Sequence, residues 1–161
     1  MEKGAQPEFH TVRGYQLLNQ QEGQLTPAME DYLEMAYRLC SENHYIRVGK
    51  LADRLHVKPS SASKMLSKLS VMGYLQYERY EILFLTSKGN MLGRYLMERH
   101  NTIEQFLNLI GCPDPLEETE LVEHALNPDT VHRLKTMLEF FQKNPSYAEK
   151  LKTYCRNESV F

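Results

Sequence analysis

Cysteine is scarce: there are three, Cys40, Cys112 and Cys155, and no CxxC pair. An odd number without that spacing argues against a disulfide framework and against a thiolate zinc site, and is expected of a chain kept in a reducing cytoplasm. Long apolar runs are missing too. None approaches the ~20 residues that span a bilayer, so no membrane partner is expected. Behind Met1-Glu2-Lys3-Gly4-Ala5 there is no apolar stretch of the kind a secretion signal carries. No repeat or low-complexity tract interrupts the chain. Charge of one sign is in short supply, with a formal net of only −2. Nucleic-acid binding would therefore rest on a local basic patch rather than on an overall field. What remains is 161 residues, 42% hydrophobic and 25% charged. That is ordinary for one globular domain or two small ones.

The densest chemistry lies in Thr119-Glu120-Leu121-Val122-Glu123-His124. On a helix Glu120, Glu123 and His124 stand at i, i+3 and i+4 and share one face. Two carboxylates and an imidazole there can hold a divalent cation, or can simply be a solvated charged face. They cannot complete a shell, because a cation such as Mn²⁺ prefers about six mostly oxygen ligands. The missing ligands are available at Asp31 and Glu34, again at i, i+3, and at His100.

Residues 1–25 are polar and broken by glycine and proline, with Phe9, Val12, Tyr15, Leu17 and Leu18 able to form a short helix. Thr26-Pro27 opens the first clear helix, a capping hydroxyl followed by proline at the first helical position. Its buried stripe is Met29, Tyr32, Leu33, Ala36, Tyr37 and Cys40, with Asp31, Glu34 and Arg38 beside it. A short helix is expected over 48–55. Pro59 then starts a second one, from about Ser60 to Met72, capped by Gly73. The inner face of this second helix is Ala62, Met65, Leu66 and Leu69; its outer face is Ser60, Ser61, Ser63, Lys64, Ser67 and Lys68. Two short helices with a tight turn, the second carrying hydroxyls and lysines outward, read as helix-turn-helix. Small side chains admit the helix to the major groove, serine can bond bases or phosphates, and lysine meets phosphate. The same pattern also suits a polar surface helix.

Residues 74–78 and 82–86 read as two strands, and a hairpin directly after a helix-turn-helix is a wing. Arg79 at its tip would reach the DNA backbone or minor groove, although the turn has no glycine. Thr86 or Ser87 caps a long helix to Ile110, closed by Gly111. His100 borders its apolar stripe of Leu92, Leu96, Ile103, Phe106, Leu107 and Ile110. A helix over 116–126 carries the Glu-x-x-Glu-His group. Residues 130–143 form an amphipathic helix whose apolar face, widened by Met137 and Phe140, suits a subunit interface. A last short helix starts at Pro145.

This order of elements resembles the metal-activated repressors of the diphtheria toxin repressor family, and most closely its manganese transport regulator branch. The resemblance is carried by Thr26-Pro27-Ala28-Met29-Glu30-Asp31-Tyr32, Pro59-Ser60-Ser61-Ala62-Ser63-Lys64-Met65, Leu85-Thr86-Ser87-Lys88-Gly89, Arg99-His100 and Glu104-Gln105-Phe106-Leu107. It runs from about Thr26 to Phe141. It implies a mostly α chain: an N-terminal winged helix-turn-helix with a small β-hairpin wing, then an all-helical dimerisation domain. The divisions expected are 1–25 as an extension, 26–88 as the DNA-binding domain and 89–161 as the metal-binding and dimerisation domain. By position the resemblance makes Asp31, Glu34, His100, Glu120, Glu123 and His124 the ligands of two neighbouring Mn²⁺ ions per subunit, with Fe²⁺, Co²⁺, Cd²⁺ or Zn²⁺ as substitutes. Iron-responsive members have methionine and cysteine where this chain has Asp31 and Glu120, and carry a further C-terminal barrel for which this chain ends too early. The wing turn departs from the family, whose members often have glycine where this chain has Tyr80-Glu81.

The function implied is a metal-dependent homodimeric repressor, not an enzyme. It would bind a palindromic double-stranded operator of metal-uptake genes through Lys58, Ser60, Ser61, Ser63, Lys64, Lys68 and Arg79. Without metal the carboxylates should repel and let the two units hinge; metal should tie the first helix to the second unit. Two other readings stand beside it. One is a winged-helix regulator that senses no metal. The other is a carboxylate-bridged metalloenzyme, against which stands the lack of an evident nucleophile.

Overall fold

The protein is described by a computed structural model covering residues 25–78 and 82–157. The expected helix around Phe9–Leu18 and the wing-tip residue Arg79 lie outside the described residues. Among the described residues, seven α-helices and three short strands follow in the order α1 (Pro27–Asn43), β1 (Ile46–Arg47), α2 (Val48–Arg54), α3 (Pro59–Val71), β2 (Leu75–Tyr77), β3 (Ile82–Leu85), α4 (Ser87–Ile110), α5 (Pro115–Val122), α6 (Pro128–Lys143) and α7 (Pro145–Asn157).

The boundaries follow from local chemistry. Thr26 is in extended backbone, its hydroxyl accepts from the Met29 N–H at 3.3 Å, and Pro27 stands at N1. Such a cap contributes about 1 kcal/mol. Thr86 does the same for α4 through the Gly89 N–H at 3.0 Å, and Gly111 closes that helix at φ 85°. Asp114 caps α5 and Asn127 caps α6, each followed by proline. The helix-turn-helix is α2 and α3, with Pro59 at N1 of the second helix and Gly73 left-handed at φ 80° just beyond it.

The first core lies between α1, α2, α3 and the sheet. Leu33, Ala36, Leu51, Ala52, Ala62, Leu66, Leu69 and Leu83 are wholly buried there. The sheet has three strands, not the two of a simple hairpin. β1 lies antiparallel to β3 (Ile46 opposite Leu83), and β3 to β2 (Leu75 opposite Leu85, Tyr77 opposite Leu83), giving the order β1-β3-β2. β1 is too short to show a period of two in the sequence. It exists because Ile46, fully buried, is drawn into the core beside Leu83.

α4 runs from the wing into the second half, where α5, α6 and α7 pack on it. Two glycines let it lie close. A Cβ on Gly89 would run into the Tyr74 carbonyl, and one on Gly93 would come within 2.6 Å of the Tyr37 Cβ on α1. The close α1–α4 crossing brings the polar face of α1 against Arg99 and His100. α5 departs from expectation. It stops at Val122, and Glu123–Ala125 form a 3₁₀ turn rather than continuing the α-helix to Leu126. The Asn127-Pro128 break cuts short the supply of helical hydrogen bonds, so the last turn tightens to a Leu126 N–H to Glu123 carbonyl bond of 3.4 Å.

Candidate metal centre and DNA-binding face

α1, α4 and the 3₁₀ turn converge on one buried polar cluster. Glu123, where the α-helical hydrogen bonding of α5 ends, is 1% exposed, while Glu120 one turn earlier stays at the rim with its side chain 56% exposed. Two sets of donor atoms lie within 4.8 Å of one another: Asp31, Glu123 and His124, and Glu34, His100 and Glu123. Glu123 belongs to both. Its Oε2 is 3.4 Å from His100 Nδ1 and its Oε1 3.8 Å from His124 Nε2. Five of the six residues expected to ligate metal are thus assembled, and the sixth, Glu120, places Oε1 3.7 Å from His100 Nδ1.

The acids are not bare: cationic groups within the chain partly offset their mutual repulsion. Glu34 Oε1 accepts from Arg38 Nε at 2.9 Å and Nη2 at 2.6 Å. Glu30, not singled out from the sequence, accepts at Oε2 from Arg99 Nη2 at 2.9 Å and from His124 Nδ1 at 2.8 Å, while Asp31 Oδ1 lies 2.9 Å from His124 Nε2. Arg99 Nη2 also approaches His124 Nδ1 to 3.2 Å. With the ring charged both are donors, so they share the Glu30 oxygen rather than bond each other. Burial alone would push His124 down, but its hydrogen bonds to Asp31 and Glu30 and the Asp31 charge outweigh that and hold it at about 9. His100 is also raised: the Glu123 carboxylate, 3.4 Å from its Nδ1, outweighs burial, the Glu34 charge adds to it and the Arg38 charge opposes it. Glu30 is lowered; burial acts against this and is overcome by His124 and Arg99. Partial burial, then the charge of Glu123, raise Glu120.

Glu123 decides whether a cation suits the cluster. Its Oε2 is buried and accepts no hydrogen bond, and neither does the neighbouring Arg99 Nε, 3.9 Å away, find an acceptor. A buried carboxylate oxygen without a donor costs on the order of 1–3 kcal/mol or more. Flanked by two histidines and three further acids, it has the donor set of a divalent-ion site with hard oxygen and imidazole ligands.

On the opposite side of the first core, the outer face of α3 is free of packing. Lys58, Ser60, Ser61, Ser63, Lys64, Ser67 and Lys68 are all exposed. The Ser67 hydroxyl bonds back to the Ser63 carbonyl at 2.8 Å and lies 3.4 Å from the Tyr77 hydroxyl, so β2 of the wing touches the outer face of α3.

Comparison with known proteins agrees with this arrangement. Residues 24–83 match the family model of the iron dependent repressor N-terminal DNA binding domain, and residues 86–152 match that of its metal binding and dimerisation domain. The HTH-type transcriptional regulator MntR of Shouchella clausii (strain KSM-K16) is 42% identical over 129 residues, 79% of this chain and 90% of that protein. This chain belongs to the diphtheria toxin repressor family, in its manganese transport regulator branch. It is therefore a metal-dependent DNA-binding repressor built from a winged helix and a helical metal-binding and dimerisation unit. Among solved structures, the manganese regulator SloR is similar with a TM-score of 0.62 and 30% identity, covering 72% of this chain and 55% of that one. ScaR with bound Zn²⁺ has a TM-score of 0.58 and 30% identity, covering 70% and 54%. The chain thus spans little more than half of each of those two solved chains. Among the described residues no helix is long and apolar enough to cross a membrane.

Proposed function

We propose that this repressor is activated by Mn²⁺, two ions per subunit, held by Asp31, Glu34, His100, Glu120, Glu123 and His124, and that the active dimer binds a palindromic operator of metal-uptake genes. Glu123 carries the reading: its carboxylate belongs to both ligand sets, and its buried Oε2 has no hydrogen-bond donor. The similarity to SloR, a manganese regulator, supports the choice of metal. So does the donor set: Asp31 and Glu120 are hard oxygens, and no cysteine stands at a ligand position. Fe²⁺, Co²⁺, Cd²⁺ and Zn²⁺ are expected to bind as substitutes, in keeping with the bound Zn²⁺ of ScaR.

A divalent cation supplies there the positive charge and directional coordination that protons and arginines supply only in part. The chain does the rest through α1. One face of this helix carries Leu33, Ala36 and Leu39 into the core on which α3 rests; the other carries Glu30, Asp31 and Glu34 into the polar cluster. Fixing Asp31 and Glu34 against His100, Glu123 and His124 therefore fixes the winged helix on the dimerisation unit. In a two-fold dimer this sets the two α3 helices about one DNA turn apart, ~34 Å. Lys58, Ser60, Ser61, Ser63, Lys64 and Lys68 then meet phosphates and base edges, and Arg79 is expected to contact the DNA as well. Operator affinity rises because freedom lost on binding DNA has already been lost.

Linkage makes the test reciprocal. Mn²⁺ should tighten operator binding, and operator should tighten Mn²⁺ binding, by one and the same factor. Titrating Mn²⁺ with and without a palindromic operator fragment measures both sides of the cycle. Equal Mn²⁺ affinities in the two titrations would refute the reading.

A further inference from the structure

Arg38 stands one helical turn after Glu34, with Nε and Nη2 both on Glu34 Oε1 at 2.9 and 2.6 Å. Its side chain is 35% exposed, whereas that of Glu34 is only 10% exposed. The guanidinium thus covers Glu34 from the solvent side. Glu34, His100 and Glu123 are all buried beneath it and hold one ligand atom each within 4.8 Å of one another. The charge of Arg38 reaches that set, where it works against a positive charge on His100, although the Glu123 carboxylate 3.4 Å away is the larger influence there.

The geometry points to Arg38 as a built-in counter-cation of the Glu34–His100–Glu123 set, one that weakens the binding of a divalent ion there and so raises the metal level at which the repressor switches on. A guanidinium on one ligand oxygen has two consequences. It takes up lone pairs that a metal ion needs, and it adds a like charge within a few ångströms of the ion. At the Asp31–Glu123–His124 set no guanidinium sits on a carboxylate oxygen of the set: Arg99 lies 3.2 Å from His124 Nδ1, but its Nη2 is bound to Glu30 Oε2 at 2.9 Å, and Glu30 offsets its charge there. Because Arg38 reaches solvent, it can swing aside at the cost of an i,i+4 ion pair, a small term at a partly exposed site. Arg38 therefore acts as an adjustable competitor rather than a permanent block. This inference rests on the proposed metal centre.

The test is Mn²⁺ binding itself, read on the full chain from the paramagnetic resonance signal of free Mn²⁺, without DNA. Arg38→Met keeps the bulk of the stem and removes the charge; Arg38→Lys keeps the charge. The weaker of the two Mn²⁺ equivalents should tighten about tenfold or more in Arg38→Met, a modest figure for removing a like charge at that range in a partly exposed site. The tighter equivalent should stay within about threefold, and Arg38→Lys should remain close to wild type. A weaker equivalent that is unchanged or loosened in Arg38→Met overturns the inference alone. A wild-type chain that binds no Mn²⁺ overturns the metal centre and this inference with it. Thermal melts of the metal-free variants, expected near wild type, keep a folding defect from being mistaken for either result.

Discussion

His124 is where the centre is sensitive to pH. Its folded value of about 9 exceeds the ordinary 6.5 because Asp31 and Glu30 flank the ring on both nitrogens, against the pull of burial. A raised value in the folded state means that the metal-free protein gains stability from the charged ring. That gain is complete below about pH 6.5 and is lost as the pH rises through about 9. Metal binding has the opposite dependence, since a ligating imidazole must be neutral. Between those limits each ion entering the Asp31–Glu123–His124 set should expel about one proton, and Mn²⁺ affinity should fall by up to about tenfold per unit as the pH drops. Calorimetry in two buffers of different ionisation heat reads the proton directly. His124→Gln should reduce the release by about one proton; an equal release from both proteins would exclude His124 as the proton source. Glu30 matters through the same ring. It lends His124 a second carboxylate and ties it to Arg99, so α1 contributes a supporting acid next to its ligand.

Among the elements, α3 and the 3₁₀ turn show opposite relations between sequence and role. α3 presents its apolar residues at i, i+3, i+4 and i+7 and buries Ala62, Leu66 and Leu69 completely, which leaves every lysine and serine of its outer face in solvent. If Lys64 and Lys68 each meet one phosphate, Lys64→Ala and Lys68→Ala should each flatten the slope of log affinity against log salt by about one unit, and the double variant by about two. Filter binding of an operator fragment across a salt series gives the slope; a double variant with wild-type slope and affinity would place the DNA on another face. The 3₁₀ turn, by contrast, takes its role from what packs against it. Glu123 keeps α-helical backbone (φ −59°, ψ −35°) and its N–H bonds the Thr119 carbonyl, so it still follows Glu120 at helical spacing, yet it is buried against Arg99 and His100 of α4 while Glu120 stays at the rim.

For the molecule as a whole, the centre lies between the two halves and the exposed apolar area of the helical unit lies elsewhere. Met137 and Phe140 on α6 remain 36% and 50% exposed, and Leu121 on α5 73%, apolar area that the monomer leaves uncovered in its dimerisation unit. The polar cluster is instead internal to the chain. Glu123→Ala should therefore abolish the Mn²⁺ enhancement of operator binding, because it removes a donor from both ligand sets, while leaving a dimer by sedimentation. A monomeric Glu123→Ala protein would mean that the centre holds the subunits together as well. The variant should not be grossly unstable. Loss of a buried charge partner often costs about 3–5 kcal/mol, but Arg99 keeps Glu30 at 2.9 Å and His100 can turn neutral, so the cost should fall at the low end.

The fold was legible in the sequence wherever a local rule governs it. Thr26-Pro27, Pro59, Gly73, Thr86 and Gly111 mark helix ends by chemistry confined to a few neighbouring residues, and the apolar periods of α1, α3, α4 and α6 name their buried faces. The two-part order of winged helix and helical unit follows from those signals and from the family resemblance. Tertiary structure alone decided what depends on partners distant along the chain. β1 has only two residues and is held by β3. Arg99 meets Glu30 across 69 positions, and Glu30 meets His124 across 94. Gly93 looks like a weak spot in a helix until Tyr37 is seen at 2.6 Å from where its Cβ would be. The residue types of the centre were readable, since carboxylates and imidazoles at helical spacing announce themselves. Which carboxylate is buried and shared, which stays at the rim, and which are already paired with arginine were not. Burial and charge pairing are set by what packs from the other side, and no sequence window contains that.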